Sequence, residues 1–129
     1  MRDPDGMQLT SWKFVCDKGV SNSATFEIVV DGDVKTVHSE GNGPVDAAFL
    51  ALSSLIEGEP VLELYQVHAV TKGTDAQAEV TVRLSDDGKT VNGHAAHTDT
   101  LVASAKAYLS AINKLLVKRE KNKPEEMTA

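Results

Sequence analysis

The sequence predicts an α+β fold in which two related units, each made of three strands and one helix, pack together. An alternating segment with an Asp-Gly turn and a following Lys-Thr-Val occurs within residues 26–37 and again within residues 80–91. Each copy is followed by a polar helix start and then by apolar residues at helical spacing. A repeated unit of this kind indicates a pseudo-twofold arrangement, with the helices packed on antiparallel sheets.

The first unit is expected to span about residues 9–57. Alternation predicts strands over residues 9–17, 25–30 and 34–39, with a tight turn at Asp31-Gly-Asp. Gly43-Pro44 then starts a helix, and its apolar stripe consists of Val45, Ala48, Phe49, Leu52, Leu55 and Ile56. Because apolar residues at the right period usually pack inside, we expect core positions for Trp12, Phe26 and Phe49.

The second unit is expected to span about residues 61–117. Strands are predicted over residues 61–71, 77–85 and 89–95, and the second helix carries an unbroken apolar stripe of Leu101, Ala105, Tyr108, Leu109, Ile112, Leu115 and Leu116. Beyond Val117 the charged run has no apolar face, so residues 118–129 are expected to fray into a disordered tail. Residues 1–8 are interpreted as a flexible N-terminus or a non-native remnant, which leaves 9–117 as a single domain.

Composition narrows the class of protein. The 129 residues are 41% hydrophobic and 25% charged, which suits one domain with a modest core. The formal charge of −6 works against nucleic acids and anionic membranes as partners, because phosphate recognition normally needs a basic field. Cys16 is the only cysteine, so no internal disulfide can form. Without a leader or a long apolar run, the chain is expected in the cytoplasm.

The two helix starts are the candidate binding residues. At Gly41-Asn-Gly43-Pro44, free first-turn N–H groups and the helix dipole could hold a carboxylate or phosphate, although Asp46 could simply offset the dipole. In His97-Thr-Asp99-Thr, Thr98 or Asp99 is the expected N-cap, and capping alone would explain this segment. Together the two starts could bind a zwitterion, with an apolar wall from Leu62, Tyr65 and Ala69.

Other chemistries find little support in the sequence. His94 and His97 precede the helix, and no second cluster completes a metal shell around them, so we expect no metal site. No nucleophile elbow, Walker loop or Rossmann turn is present, and we assign no catalytic residue. A small free-standing enzyme is therefore disfavoured.

Three segments, residues 40–49, 64–76 and 99–113, resemble one known family. They are similar, in the same order, to the C-terminal regulatory domain of 2-isopropylmalate synthase, and citramalate synthase carries a similar domain. The resemblance covers about residues 10–117.

The resemblance implies a non-catalytic module that binds the end-product amino acid and inhibits a distant reaction by feedback. It implies a fold of two βββα units that pairs with a second copy as a homodimer. The family's catalytic β/α barrel, which would need a divalent metal and acetyl-CoA, is outside this sequence, and no cofactor is expected in the domain itself. The expected partners are leucine or isoleucine as effector, a second copy of the chain, and the parent's barrel.

The resemblance also implies a set of effector-binding residues at the helix starts, on the apolar wall and at one turn: Gly43, Pro44, Val45, Asp46, Leu62, Tyr65, Ala69, Ala76, Ala96, His97, Thr98 and Asp99. The stretch from His94 to His97 departs from many relatives, in which a glycine is common. Strict strand alternation would put Leu62 and Tyr65 on opposite faces, so both can line one pocket only if the strand begins irregularly.

Three alternatives stay open. The effector could be isoleucine in a citramalate synthase, because one methyl position discriminates by only about 1–3 kcal/mol. The chain could be a dimerisation module without effector binding. Ferredoxin-like amino-acid-binding modules are a rival fold, but they run βαββαβ, whereas here the helices come last in each half.

Overall fold

The computed structural model describes residues 6–17, 22–72 and 75–121. The first unit consists of β1 (Gln8–Val15), β2 (Asn22–Val30), β3 (Asp33–Gly41) and α1 (Pro44–Ser53). The second consists of β4 (Val61–Lys72), β5 (Asp75–Asp86), β6 (Lys89–His97) and α2 (Thr100–Lys121). The predicted order of three strands and a helix, twice, is confirmed. The first five residues, residues 18–21 and 73–74 between predicted strands, and the end of the predicted tail lie outside the described residues.

Each unit forms its own antiparallel sheet, in the order β1-β2-β3 and β4-β5-β6. The second hairpin of each sheet turns at an Asp-Gly pair, and all four residues have positive φ: 53° and 86° at Asp31 and Gly32, 54° and 79° at Asp87 and Gly88. Two successive residues with positive φ match the right-handed twist of the flanking strands, which favours Asp-Gly at this place. The same residue offset relates Pro44 to Thr100, the first residues of the two helices. The two units therefore align in sequence without a gap from their second strands onward.

Both sheets also contain an irregularity near the start of the first strand. The β1–β2 register shifts between Leu9 and Ser11, and the β4–β5 register shifts between Leu62 and Leu64. One residue in each strand, Thr10 or Glu63, is therefore extra, as in a β-bulge. Because the bulges recur in both units, the pseudo-twofold relation extends to the first strands and pairs Trp12 with Tyr65.

The core lies between the inner faces of the sheets and the two helices. α1 packs on β2 and β3, α2 packs on β5 and β6, and the helices contact each other. Phe26 is fully buried and Phe49 is 8% exposed, which confirms both as core residues. The core prediction is wrong for Trp12, which is 39% exposed. It lies on the edge strand β1, where its ring contacts His97 and Lys106 of the second unit.

Polar contacts from the C-terminal half of α2 tie the two units together. Asn113 accepts a hydrogen bond from Met7 N (2.9 Å) and donates one to Met7 O (3.0 Å), so that α2 holds the residue that precedes β1. Closer to the end of the helix, Arg119 donates to Glu57 O (2.8 Å) and forms an ion pair with Asp86. Asn113 and Arg119 both belong to α2, which continues past Val117 to Lys121. Within the described residues, no helix combines the length and apolar character needed to cross a bilayer.

Candidate functional site

Four of the predicted wall and turn residues share the inner face of the second sheet. Leu62 pairs with Leu84, Tyr65 with Val82, Ala69 with Ala78, and Ala76 lies two positions before Ala78 on the same strand. Directly paired residues of antiparallel strands point to the same side. The extra residue Glu63 therefore brings Leu62 onto the face of Tyr65, which is the irregular strand start that the sequence analysis required.

The β4 part of this face is largely uncovered. α2 packs on β5 and β6, and their residues Val80, Val82 and Leu84 are at most 1% exposed. On β4, by contrast, Leu62 and Val67 are each 43% exposed, and Ala69 is exposed as well. An apolar edge strand that is open on its inner face can contact a ligand or another chain.

Tyr65 connects this apolar face to both helices. Its ring stands edge-on to Phe49 of α1, with the centroids 5.4 Å apart. Its hydroxyl lies 2.7 Å from Ser104 Oγ in the first turns of α2, and Ser104 Oγ also donates to Thr100 O (2.8 Å). The N-terminal halves of the two helices thus converge on one residue of β4.

The start of α1 is open. Gly43 is the N-cap, and no side chain of the described part of the chain caps the helix. A Cβ at Gly43 would meet nothing within 4 Å, whereas one at Gly41 would crowd the backbone of Ala47. Pro44 occupies the first helical position, where a missing N–H costs nothing. Asp46, exposed in the first turn, accepts a hydrogen bond from Asn42 N (2.9 Å). The first-turn N–H groups of Val45 and Asp46 have no acceptor within the helix, and the helix dipole favours a negative group near them.

The start of α2 is closed by its own residues. Asp99 Oδ1 accepts hydrogen bonds from Leu101 N (2.8 Å) and Val102 N (3.4 Å), so Asp99 rather than Thr98 is the N-cap. His97 Nδ1 accepts from Asp99 N (2.9 Å), and the His97 ring lies edge-on to Trp12. The two starts are related by the repeat, but among the described residues a side chain caps first-turn N–H groups only at the second of them.

One predicted residue lies on the other side of the sheet. Ala96 pairs with Glu79, which places its side chain on the outer face, away from Ala69 and Ala76. Its neighbour His97 pairs with Ala78 and belongs to the inner face. Only the backbone of Ala96 is therefore available to a ligand on the inner face.

Sequence reasoning did not single out two residues that organise this site. Phe49 was expected only as core, and Ser104 was not considered, although it is a polar residue inside an apolar helix. Phe49 also stacks on Tyr108, with the centroids 4.5 Å apart, and burial raises the pKa of Tyr108 from 10.0 to about 12. The aromatic series from Tyr65 through Phe49 to Tyr108 runs from the open face into the core.

A separate cleft of about 500 Å³ lies at the seam between β1, β6 and α2. It shares no residue with the predicted site and is lined by Met7, Gln8, Leu9, His94, Ala95, Lys106, Leu109, Ser110, Asn113 and Lys114. Two of its polar groups are already engaged, since Asn113 holds Met7 and Lys114 Nζ donates to Asn92 O (2.7 Å).

Comparison with known proteins gives concordant results. Residues 1–116 match the family described as the LeuA allosteric (dimerisation) domain. The chain is 53% identical over 118 residues to a protein of Bradyrhizobium diazoefficiens named 2-isopropylmalate synthase, which covers 92% of this chain and 23% of that protein. A protein of the same name from Bradyrhizobium sp. (strain BTAi1) is 55% identical over the same length, with the same coverage. One from Caulobacter sp. (strain K31) is 53% identical over 107 residues, 83% of this chain and 20% of that protein. The chain thus spans less than a quarter of these relatives.

Proposed function

Since this chain belongs to the family of LeuA allosteric (dimerisation) domains, we propose that it is the non-catalytic regulatory part of a 2-isopropylmalate synthase and binds leucine as a feedback inhibitor. The observations that carry the proposal are the uncapped start of α1 and an exposed apolar strand face, and the contact between Phe49 and Tyr65 joins that helix to that strand.

The carboxylate of the amino acid binds at the start of α1. Gly43 leaves the space in front of the helix open, and the first-turn N–H groups together with the dipole favour a negative group there. The start of α2 suits this role less well, because Asp99 already accepts hydrogen bonds from two of its first-turn N–H groups. The free carboxylate oxygens of Asp46 and Asp99 are available for the ligand's ammonium group. Each protomer thus provides one binding site for the carboxylate, at the start of α1.

The branched side chain of the ligand packs on β4. Leu62, Ala69 and Ala76 share the inner face with Tyr65, and Val45 follows the helix start. Covering apolar surface of this kind stabilises a complex by roughly 25 cal/mol for each Å² removed from water. A branched aliphatic side chain suits this wall better than a polar one.

A second copy of the chain completes the site. The inner face of β4 stays exposed in one protomer, with Leu62 and Val67 each 43% exposed, and burial of this strip against a partner explains its apolar character. The homodimer therefore places the effector close to the subunit boundary, where ligand binding tightens the pair. Inhibition of a catalytic barrel further requires that leucine prefers one arrangement of domain and barrel, because a ligand without preference shifts no equilibrium. The divalent metal and acetyl-CoA belong to that barrel.

Calorimetric titration with leucine and isoleucine tests the proposal, with alanine as a ligand that lacks the branched side chain. We expect saturable heat from leucine with one site per protomer, weaker heat from isoleucine and none from alanine. Stronger binding of isoleucine would instead support the alternative that the chain is the regulatory domain of a citramalate synthase. Absence of heat from both branched ligands, with a dimer present by light scattering, would leave a dimerisation module without effector binding.

The Tyr65→Ala variant separates the effector role from the structural role. A ligand that binds only the native state raises the melting temperature by mass action. We expect Tyr65→Ala to lose this rise while it stays dimeric. A monomeric Tyr65→Ala variant would instead support a purely structural role for this residue.

A further inference from the structure

Ser104 is fully buried, and its hydroxyl is shared between two partners. It donates its one proton to Thr100 O, at 2.8 Å, because a carbonyl oxygen can only accept. The hydroxyl of Tyr65, at 2.7 Å, must then donate to Ser104 Oγ. The direction of both hydrogen bonds is therefore fixed, and Tyr65 is connected through Ser104 to the first residue of α2.

The ring of Tyr65 is held from a second side. Phe49 of α1 meets it edge-on at an interplanar angle of 89°, and Phe49 in turn stacks on Tyr108 of α2 at 23°. Edge-on aromatic pairs at this spacing are favourable beyond the area they bury. Any rotation of the Tyr65 ring would disturb the hydroxyl contact to α2 and the ring contact to α1 together.

The pseudo-twofold repeat provides an internal control for the role of this serine. The offset that relates Gly43 to Asp99 relates Ala48 to Ser104, and Ala48 is also buried, at 1% exposure. The matched bulges of β1 and β4 pair Tyr65 with Trp12, which has no hydroxyl and contacts His97 and Lys106 instead. Packing of the two helices thus does not need a hydroxyl at this position. The hydroxyl pair occurs only in the half of the molecule that has the open β4 face.

We propose that Ser104 is a positioning residue of the effector site, which fixes the Tyr65 ring and connects ligand contact on β4 to the start of α2 and to the packing of the two helices. This inference rests on the proposed binding of leucine at the β4 face. Ser104 itself, being fully buried, acts on the ligand only through Tyr65.

A double-mutant cycle on the whole 129-residue chain, with leucine as the titrant, tests the inference. Ser104→Ala and Tyr65→Phe each remove one side of the hydrogen bond, and alanine at position 104 suits a helix interior. We expect each variant to raise the Kd for leucine about three- to tenfold, and the double variant to raise it no further than the weaker-binding single variant. Ser110→Ala, a serine on the same helix that lines the separate cleft, should leave the Kd within about twofold.

Three results would overturn the inference. They are an unchanged Kd in Ser104→Ala, single effects that multiply in the double variant, and a lowered melting temperature of the unliganded protein as the sole effect of Ser104→Ala. In each case the wild-type chain still binds leucine, so the proposed function survives. If the wild-type chain binds no leucine, the proposed function and this inference fall together. The titration of the wild type therefore distinguishes the two failures.

Discussion

Leu62 and Tyr65 lie on one face of their sheet although three positions separate them, because the extra residue Glu63 interrupts the alternation of β4. The corresponding pair in the first unit, Leu9 and Trp12, is brought together in the same way across Thr10. A local irregularity of the backbone thus decides which side chains form the apolar wall, and it does so twice in one chain.

Deletion of Glu63 should remove the bulge but keep the wall. With the pairing from Tyr65 onward unchanged, Leu62 becomes the direct neighbour of Leu64 and keeps both its partner Leu84 and its place on the inner face. We expect the leucine affinity of the deletion variant to stay within about twofold by calorimetry. Leu62→Asp, which places a charge on the wall, should lower leucine affinity at least tenfold, with circular dichroism close to that of the wild type. Wild-type affinity in Leu62→Asp would show that Leu62 does not contact the ligand.

The start of α1 can be altered to copy the start of α2. Gly43 has an extended backbone, with φ of −160°, and an open Cβ direction, so Gly43→Asp places a carboxylate where Asp99 lies in the other unit. Because the new carboxylate caps the helix, we expect the unfolding free energy, measured by urea titration, to rise by about 0.3 kcal/mol. The same carboxylate should lower leucine affinity at least tenfold, because it occupies and repels the ligand's anion seat.

Gly43→Ser is the matched control, since it caps the helix without a charge. Its loss of leucine affinity should be smaller than that of Gly43→Asp and should not depend on ionic strength. Equal leucine affinity in Gly43→Asp and the wild type would place the carboxylate seat elsewhere.

Short-range patterns carried most of the fold prediction. Alternation over residues 25–30 and 77–85, together with the two Asp-Gly turns, depends on neighbours in sequence, and the structure confirms the hairpins around Asp31 and Asp87. Trp12 was assigned wrongly because it pairs with Phe26 on the same face, and only the placement of the helices determines that the edge strand β1 is less covered than β2. The pattern shows that a face is apolar but not what packs on it.

The site could be predicted only in part for a related reason. Its residue types followed from the helix starts and the resemblance, and the need for an irregular β4 followed from Leu62 and Tyr65. That Asp99 closes one start while Gly43 leaves the other open depends on hydrogen bonds that the residue types merely permit. The contact of Tyr65 with Ser104 joins positions far apart in the sequence, and neither residue type specifies the other.

Gly93 should be intolerant of any side chain. It lies buried on β6 against α2, where a Cβ would overlap Ala107 O and lie 2.5 Å from Ala111 N, both of them backbone atoms that cannot move independently. We expect Gly93→Ala to lower the unfolding free energy by about 3 kcal/mol, measured in urea. Gly43→Ala, whose methyl group meets nothing within 4 Å, should lower it by no more than about 1 kcal/mol, the usual effect of alanine at an N-cap. Wild-type stability in Gly93→Ala would mean that α2 can move away from the sheet at little cost.

Arg119 should stabilise the junction of the two units. Its guanidinium joins Glu57 O, just beyond α1, to Asp86 at the β5–β6 turn, and the side chains of Arg119 and Asp86 are only 28% and 20% exposed. We expect Arg119→Ala to lower the unfolding free energy by about 1–2 kcal/mol, because partly buried hydrogen bonds between charged groups contribute more stability than surface ion pairs do. Arg119→Lys keeps the charge but not the planar guanidinium, so its unfolding free energy should lie between those of the wild type and Arg119→Ala. If Arg119→Ala is as stable as the wild type, the contacts of this guanidinium do not contribute to the stability of the junction.

Tyr108 should make the domain sensitive to alkaline pH. Burial raises the pKa of Tyr108 from 10.0 to about 12, since the charged phenolate is disfavoured in the core. A group whose pKa is higher in the folded state stabilises that state fully below its unfolded pKa. This contribution is lost as the pH rises from about 10 to about 12, and at 1.36 kcal/mol per pKa unit the loss reaches about 2–3 kcal/mol. Urea titrations across this range should therefore show a steeper decline in the wild type than in Tyr108→Phe, which cannot ionise. Parallel declines in the two proteins would show that lysine deprotonation, rather than Tyr108, governs alkaline unfolding.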